Sequence, residues 1–222
     1  MGRPQTFETA SVVRAARAVF WRDGYEEASL PELEQATGLS RSSIYHAFGS
    51  KRGLFDAAVE SYLDEVVRPR LRPLTAAVVA PTAIVDYLVG LRAALAQSGS
   101  LPATSGCLLI NAAVAPVGRD DAVRRVVAAY RAELRAALGR GVTAHLPDGA
   151  PAELERLTDT LTGLVVAALA LTRVDRSGAL HLLGTALELI PGAAVPPLPG
   201  EVHDPADPGT AAPPAPAAAA SR

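Results

Sequence analysis

Apolar residues recur at steps of three and four along this chain, through Val12, Ala16, Val19 and Phe20 near one end and through Leu154, Leu157, Leu161, Leu164 and Ala168 near the other. Side chains so spaced share one face of an α-helix, and the alternation that marks a half-buried strand is nearly absent. The expected fold class is all-α, with helices over 8–23, 31–37, 41–47, 51–67, 82–97, 106–115, 120–144, 151–173 and 177–190. Pro69 and Pro73 either end or kink the fourth of these, since each removes a backbone donor and crowds the preceding turn.

Composition divides the chain. Eight of its ten aromatic residues (Phe7, Phe20, Trp21, Tyr25, Tyr45, Phe48, Phe55 and Tyr62) lie in the first 62 positions, leaving Tyr87 and Tyr130 for the rest. A small aromatic-cored unit is therefore expected ahead of one packed with Ala, Leu and Val. From Gly192 to Arg222, eight prolines in 31 residues and little of any bulk read as a disordered tail. The expected division is 1–50, 51–191 and 192–222. Cys107 is the only cysteine and no basic-then-apolar leader follows Met1, which points to the reducing cytoplasm and away from secretion. The longest charge-free stretch, 93–118, is interrupted by Gln97, Ser98, Gly99, Ser100 and Pro102, so no membrane span is expected.

The second and third helices are too short to persist alone and must be held by packing. Pro31 suits a first helical position, Gly38 can adopt the left-handed conformation that ends a helix, and Ser40 can cap the next one. Two short helices joined through Thr37 to Ser40 have helix-turn-helix spacing. Leu33, Ala36, Leu39, Ile44 and Phe48 fall where they face each other and the first helix, which turns Arg41, Ser42, Ser43, Tyr45 and His46 outward. Arginine can grip guanine N7 and O6, serine can bond base edges or phosphate, and tyrosine can reach a phosphate oxygen.

With 21 Lys and Arg against 23 Asp and Glu, any affinity for nucleic acid must be local. No acid lies between Glu34 and Asp56. Within that window Lys51 and Arg52 sit in the first turn after the expected cap Ser50, where the helix dipole disfavours cations. A phosphate held by the amides of that helix start and by both side chains would compensate them. The plainer alternative is a solvated polar surface, but turn chemistry, core spacing, acid depletion and misplaced cations coincide at one place and favour DNA.

The segment from Gly2 to Tyr62 resembles the N-terminal domain of the TetR/AcrR family of bacterial transcriptional regulators. The likeness rests on Gly2-Arg3-Pro4, Phe7, the run Phe20 to Tyr25, Ser29-Leu30, Leu33, Ala36 to Ser40, Ser43-Ile44-Tyr45, Phe48, Ser50-Lys51 and Leu54-Phe55; Gly106 to Ala112 is similar to part of one branch of its regulatory domains. The resemblance implies a homodimer whose third helix enters the major groove of a near-palindromic operator in double-stranded DNA, and a helical C-terminal domain that binds a small-molecule effector and releases the DNA. It implies phosphate contacts by Tyr45, Lys51 and Ser29, base-facing or groove-facing places for Arg41, Ser42, Ser43 and His46, and a minor-groove arm at Arg3. Arg52 stands where the family often has an acid, which should add backbone affinity. Glu34 replaces a commonly small residue and is expected to face solvent, away from phosphate.

In the regulatory part, 151–173 and 177–190 are apolar around most of their circumference, which suits a dimeric four-helix interface as well as the interior of a monomeric bundle. A two-fold reader of DNA favours the dimer. A ligand pocket is expected between 51–67, 82–97, 106–115 and 120–144, lined by Tyr62, Tyr87, Leu91, Asn111 and Tyr130. The competing reading is that the aromatics are core packing and that Asn111 bonds a neighbouring backbone carbonyl. Scarce charge there suggests a largely apolar effector. Cys107 belongs with this group, either as a thiol made reactive by amide dipoles at a helix start or as a small buried hydrophobe.

An enzyme is not expected. His46, His145, His181 and His203 are scattered without ligand spacing, and no glycine-rich phosphate loop precedes a helix. No cofactor is implied. The remaining alternative is a helical ligand-binding or interaction protein that kept this N-terminal shape and lost operator recognition.

Overall fold

A computed structural model describes residues 3–194, 196 and 197, with side chains from residue 9 onward. The regular elements among the described residues are all helices, without strands, as the periodicity requires. Helix α1 (Arg3–Glu27) is followed by α2 (Leu30–Thr37) and α3 (Arg41–Phe48), then α4 (Lys51–Tyr62), a π-helical turn (Leu63–Val67) and α5 (Arg68–Thr75). Next come α6 (Ala83–Ala96), α7 (Leu101–Ser105), α8 (Leu108–Val114), a 3-10 turn (Pro116–Arg119), α9 (Asp121–His145), α10 (Pro151–Leu171) and α11 (Arg176–Glu188). The proline-rich tail expected from 192 lies outside the described residues beyond 197.

Gly24, at φ 86° and ψ 172°, breaks the helical backbone of α1 close to the expected end at Asp23. Downstream, neither proline ends the fourth helix. The amide of Arg68 reaches back five residues to the Leu63 carbonyl, and this wider turn lets Pro69 enter at the second position of α5, where a missing N–H leaves no helical bond unmade. Pro73 is followed by only two more helical residues. The short helix α7, capped by Ser100, was not expected.

Aromatic packing joins the first helices to the rest. Phe20 lies edge-on to Phe55 with centroids 5.2 Å apart, Tyr25 meets Phe55 at 5.1 Å, and Trp21 meets Tyr62 at 4.8 Å. Leu33 and Ile44 are fully buried, Leu39 and Phe48 half-buried, and Ala36 is exposed, against expectation. The aromatic core runs without interruption into the Leu-rich core of α6, α9, α10 and α11, so α4 packs into both.

One corner fixes how the halves meet. Gly106, between α7 and α8, has φ 61°, and a Cβ there would lie 2.2 Å from the Leu169 carbonyl oxygen on α10. Its own carbonyl accepts the Trp21 indole N–H at 3.0 Å. Gly106→Ala should therefore destabilise the fold by more than about 1 kcal/mol, through backbone strain and overlap together. Chemical denaturation followed by tryptophan emission measures this.

Candidate nucleic-acid interface

Cap chemistry builds the helix-turn-helix. Ser29 caps α2 through a capping box: the Glu32 carboxylate accepts from the Ser29 amide at 2.9 Å and from its hydroxyl at 2.7 Å, while the Glu32 amide donates back to Oγ at 3.3 Å. Those bonds lower the Glu32 carboxyl below its ordinary range. Gly38, left-handed at φ 70°, closes α2 by donating its amide to the Glu34 carbonyl. Ser40 then caps α3, accepting from the Ser43 amide at 3.3 Å, and its hydroxyl lies 2.9 Å from that of Ser42 and 3.0 Å from that of Ser43.

Helix α3 buries only Ile44. Arg41, Ser42, Ser43, Tyr45 and His46 are all exposed on its outer side, as the sequence spacing predicts. The Arg41 guanidinium stacks 5.6 Å above the Tyr45 ring, which orders a long side chain at modest energetic gain. Beside α3, an open groove of about 520 Å³ runs against α1, lined in part by Val12, Ser42, His46 and Phe48.

Three expectations change on inspection of the structure. Glu34 does not face away from α3: its carboxylate accepts the backbone N–H of Arg41, the first helical residue. The free amides and positive dipole end of α3 are the nearest strong attraction for that charge. Arg52 meets protein carboxylates rather than an external anion, bonding Asp56 at 2.7 Å and Asp120 at 3.0 Å. Lys51 turns back to the end of α1, donating to the Glu26 carbonyl at 3.3 Å and sitting 4.8 Å from the centre of the Tyr25 ring. The cations misplaced at the α4 dipole are thus compensated within the chain. The Arg3 side chain lies outside the described residues.

The regulatory half gathers most of the expected ligand residues. Tyr62, Tyr87, Leu91 and Tyr130 line a small cavity of about 30 Å³. Cys107 is fully buried beside it, its thiol 3.8 Å from the Tyr130 hydroxyl. Burial pushes the three tyrosine hydroxyls up from their ordinary pKa, so they remain protonated donors. Asn111 is not among them; its amide donates to the Ser105 carbonyl at 2.6 Å, the backbone role weighed against ligand contact. Arg70 joins the lining instead. No sequence signal placed it there, because it lies past the point where the fourth helix was expected to stop.

An all-helical chain with a capped helix-turn-helix and an exposed polar recognition face has the architecture of a DNA-reading regulator. The family of bacterial regulatory proteins named for tetR matches residues 12–58. YezE of Bacillus subtilis, an uncharacterized HTH-type transcriptional regulator, is 33% identical over 142 residues, 64% of this chain and 72% of YezE. The transcriptional repressor ComR of Escherichia coli is 33% identical over 111 residues, 50% of this chain and 51% of ComR. Among solved structures, a cysteine mutant of the TetR family regulator CifR, complexed with 26 bp of operator DNA, aligns with TM-score 0.70 and 29% identity, over 85% of this chain and all of that one. The chain belongs to the TetR family of transcriptional regulators, which are not enzymes.

Two consequences can be measured. The Arg52 guanidinium, with the amides of Val123 and Ala122, holds the Asp120 carboxyl well below the ordinary value of 3.8. A depressed native pKa contributes stability that is present above the unfolded value and lost as pH falls through the native one. Asp120→Asn should lower stability near neutrality and flatten the acid limb of the unfolding midpoint against pH. Separately, Glu34→Gln removes a negative charge at the start of α3 and should raise affinity for a random-sequence duplex about two- to fivefold, read by fluorescence anisotropy at low salt.

Proposed function

We propose that this regulator is a cytoplasmic repressor that binds a near-palindromic operator as a homodimer and leaves it when a small molecule occupies the tyrosine-lined cavity. The observation that carries this reading is the outer face of α3, where Arg41, Ser42, Ser43, Tyr45 and His46 stand exposed above a single buried Ile44. In this reading residues 1–50 read DNA, 51–191 sense and dimerise, and 192–222 form a tail. Arg41 and His46 address base edges, Ser42 and Ser43 bases or phosphates, and Tyr45 a phosphate. Ser29, Lys51 and Arg3 are accessory backbone contacts; the first two must leave or share the bonds they make within the chain. Arg52 is assigned to the junction with α9 and not to DNA.

Dimerisation is assigned to 151–173 and 177–190. These residues form a hairpin of α10 and α11 on which Val174 (82% exposed) and Leu189 (44%) stand in solvent, with Leu157, Leu164, Leu171 and Leu182 only half-buried. A second copy would cover that apolar surface and give two recognition helices for two half-sites.

Release would pass through Trp21. On the DNA-reading side it belongs to α1; on the other it touches Tyr62 of the cavity wall and bonds the Gly106 carbonyl. Arg17 adds a second tie, donating to the Ser61 carbonyl at 3.0 Å and hydroxyl at 2.8 Å and pairing with Glu65. An occupant that displaces Tyr62 therefore pushes on α1 and changes the spacing of the two reading heads.

Nuclease footprinting on the DNA upstream of the chain's own coding region tests this. Protection of a two-fold symmetric site is expected, with log affinity falling linearly against log salt by about 0.9 per phosphate contact. Tyr45→Ala should weaken all sequences alike, whereas Arg41→Ala should relax preference at one position per half-site by about 1–3 kcal/mol. An unprotected region at low salt would favour a protein that kept the shape and lost operator recognition.

A further inference from the structure

We infer that the effector of this regulator is a small organic acid whose carboxylate meets Arg70 and whose apolar body lies against the leucines of the cavity; this rests on the effector-release reading above. Of the arginines near Arg70, Arg72 is exposed to solvent and the others with acids in reach are matched. Arg68 pairs with Asp64 and Glu133, and Arg14 and Arg17 with Glu65. Arg70, half-buried and lining the cavity, forms no ion pair among the described residues. The carboxylates nearest in sequence are consumed by other guanidinium groups. A guanidinium remains charged at any physiological pH, and partial withdrawal from water makes an anionic partner valuable.

The rest of the lining has the same bias. Tyr62, Tyr87 and Tyr130 offer hydroxyl donors, and the Arg70 charge acts on the hydroxyls of both Tyr62 and Tyr87, so guanidinium and phenols converge. Leu71, Leu91, Leu134 and Leu169 complete the wall with hydrocarbon. A site with one fixed positive charge, protonated phenols and no carboxylate suits an oxyanion on an apolar skeleton; an amine would be repelled, and a neutral hydrocarbon would leave the donors unmatched.

At about 30 Å³ the cavity has room for roughly one water, so an acid must widen it. The wall best placed to yield is the π-helical turn, which contributes Val66 and Val67 and carries α5 with Arg70 beyond it. Turns of this kind recur at functional sites. Because Tyr62 directly precedes this turn and touches Trp21, widening is coupled to α1.

The test uses the full chain and its single tryptophan, titrated with benzoate, phenylacetate and octanoate and with the matching primary amides. At least one acid should change Trp21 emission saturably and bind about tenfold or more tightly than its amide. Arg70→Met should abolish that preference while leaving the unfolding midpoint unchanged, and Arg70→Lys should retain part of it. Equal binding of acids and amides, an unchanged preference in Arg70→Met, or no saturable response to any acid at millimolar concentration overturns the proposal. Release of footprinted DNA, measured in parallel, separates the two readings. Acids that bind with the expected preference and leave DNA affinity unchanged sink release and keep the acid site, whereas release by neutral compounds alone does the reverse.

Discussion

Trp21 is the point on which the two halves of this molecule turn. Its indole N–H is a donor with no acceptor of its own, and at 5% exposure it must find a partner inside the protein. The partner is the carbonyl of Gly106, 85 residues away along the chain. A buried donor left unpaired costs about 1–3 kcal/mol, so this bond restricts where α1 can sit relative to the α7–α8 corner. That corner is itself immobilised, because Gly106 approaches the α10 backbone more closely than any side-chain-bearing residue could. The orientation of the reading head is thus referred, through one hydrogen bond and one glycine, to the helix hairpin assigned to dimerisation.

Charge is distributed to the same end. The chain carries a formal net charge of −2, and several of its arginines pair with acids away from α3, such as Arg135 with Asp159 and Arg68 with Asp64. Exposed pairs of this kind add little stability. Among the described residues the outer face of α3 carries no ion pair, its one cation being laid over Tyr45. The two acids bordering the acid-free window act at its edges: Glu34 closes on the start of α3, and Asp56 holds Arg52 at the start of α4. Through Asp120, Arg52 also ties that start to the beginning of α9, so the joint between reading head and regulatory helices is electrostatic on the surface and aromatic inside.

Local chemistry made much of this legible in the sequence. Ser40 and Ser50 cap the helices they precede, Gly38 is left-handed, and Ile44 points inward while its five polar neighbours point out, all because capping and periodicity depend on residues within one turn of each other. Where the partner lies far along the chain, the sequence was silent. Arg52 finds Asp120 at a separation of 68 residues, and Trp21 finds Gly106. The π-helical turn was hidden for a different reason. Two prolines signal the end of a helix, and only a bond from Arg68 to Leu63 lets the chain continue and carry Arg70 to the cavity.

The small size of that cavity has an energetic meaning. Moving a two-state equilibrium from about 1:99 to 99:1 requires ~5.5 kcal/mol of differential binding. Burying ~100 Å² of hydrocarbon supplies about 2.5 kcal/mol, and hydrogen bonds to a charged group add about 1.5–3 kcal/mol. Neither contribution alone moves the balance, but the two together nearly do. On the proposed release mechanism, the described arrangement, with Tyr62 packed on Trp21 and room for about one water, would be the closed member of such a pair. A ligand that only filled a preformed space would bind both members alike and shift nothing. On that mechanism a ligand that had to open the π-helical turn would favour one member, and the tight packing of that wall would make its occupation a signal.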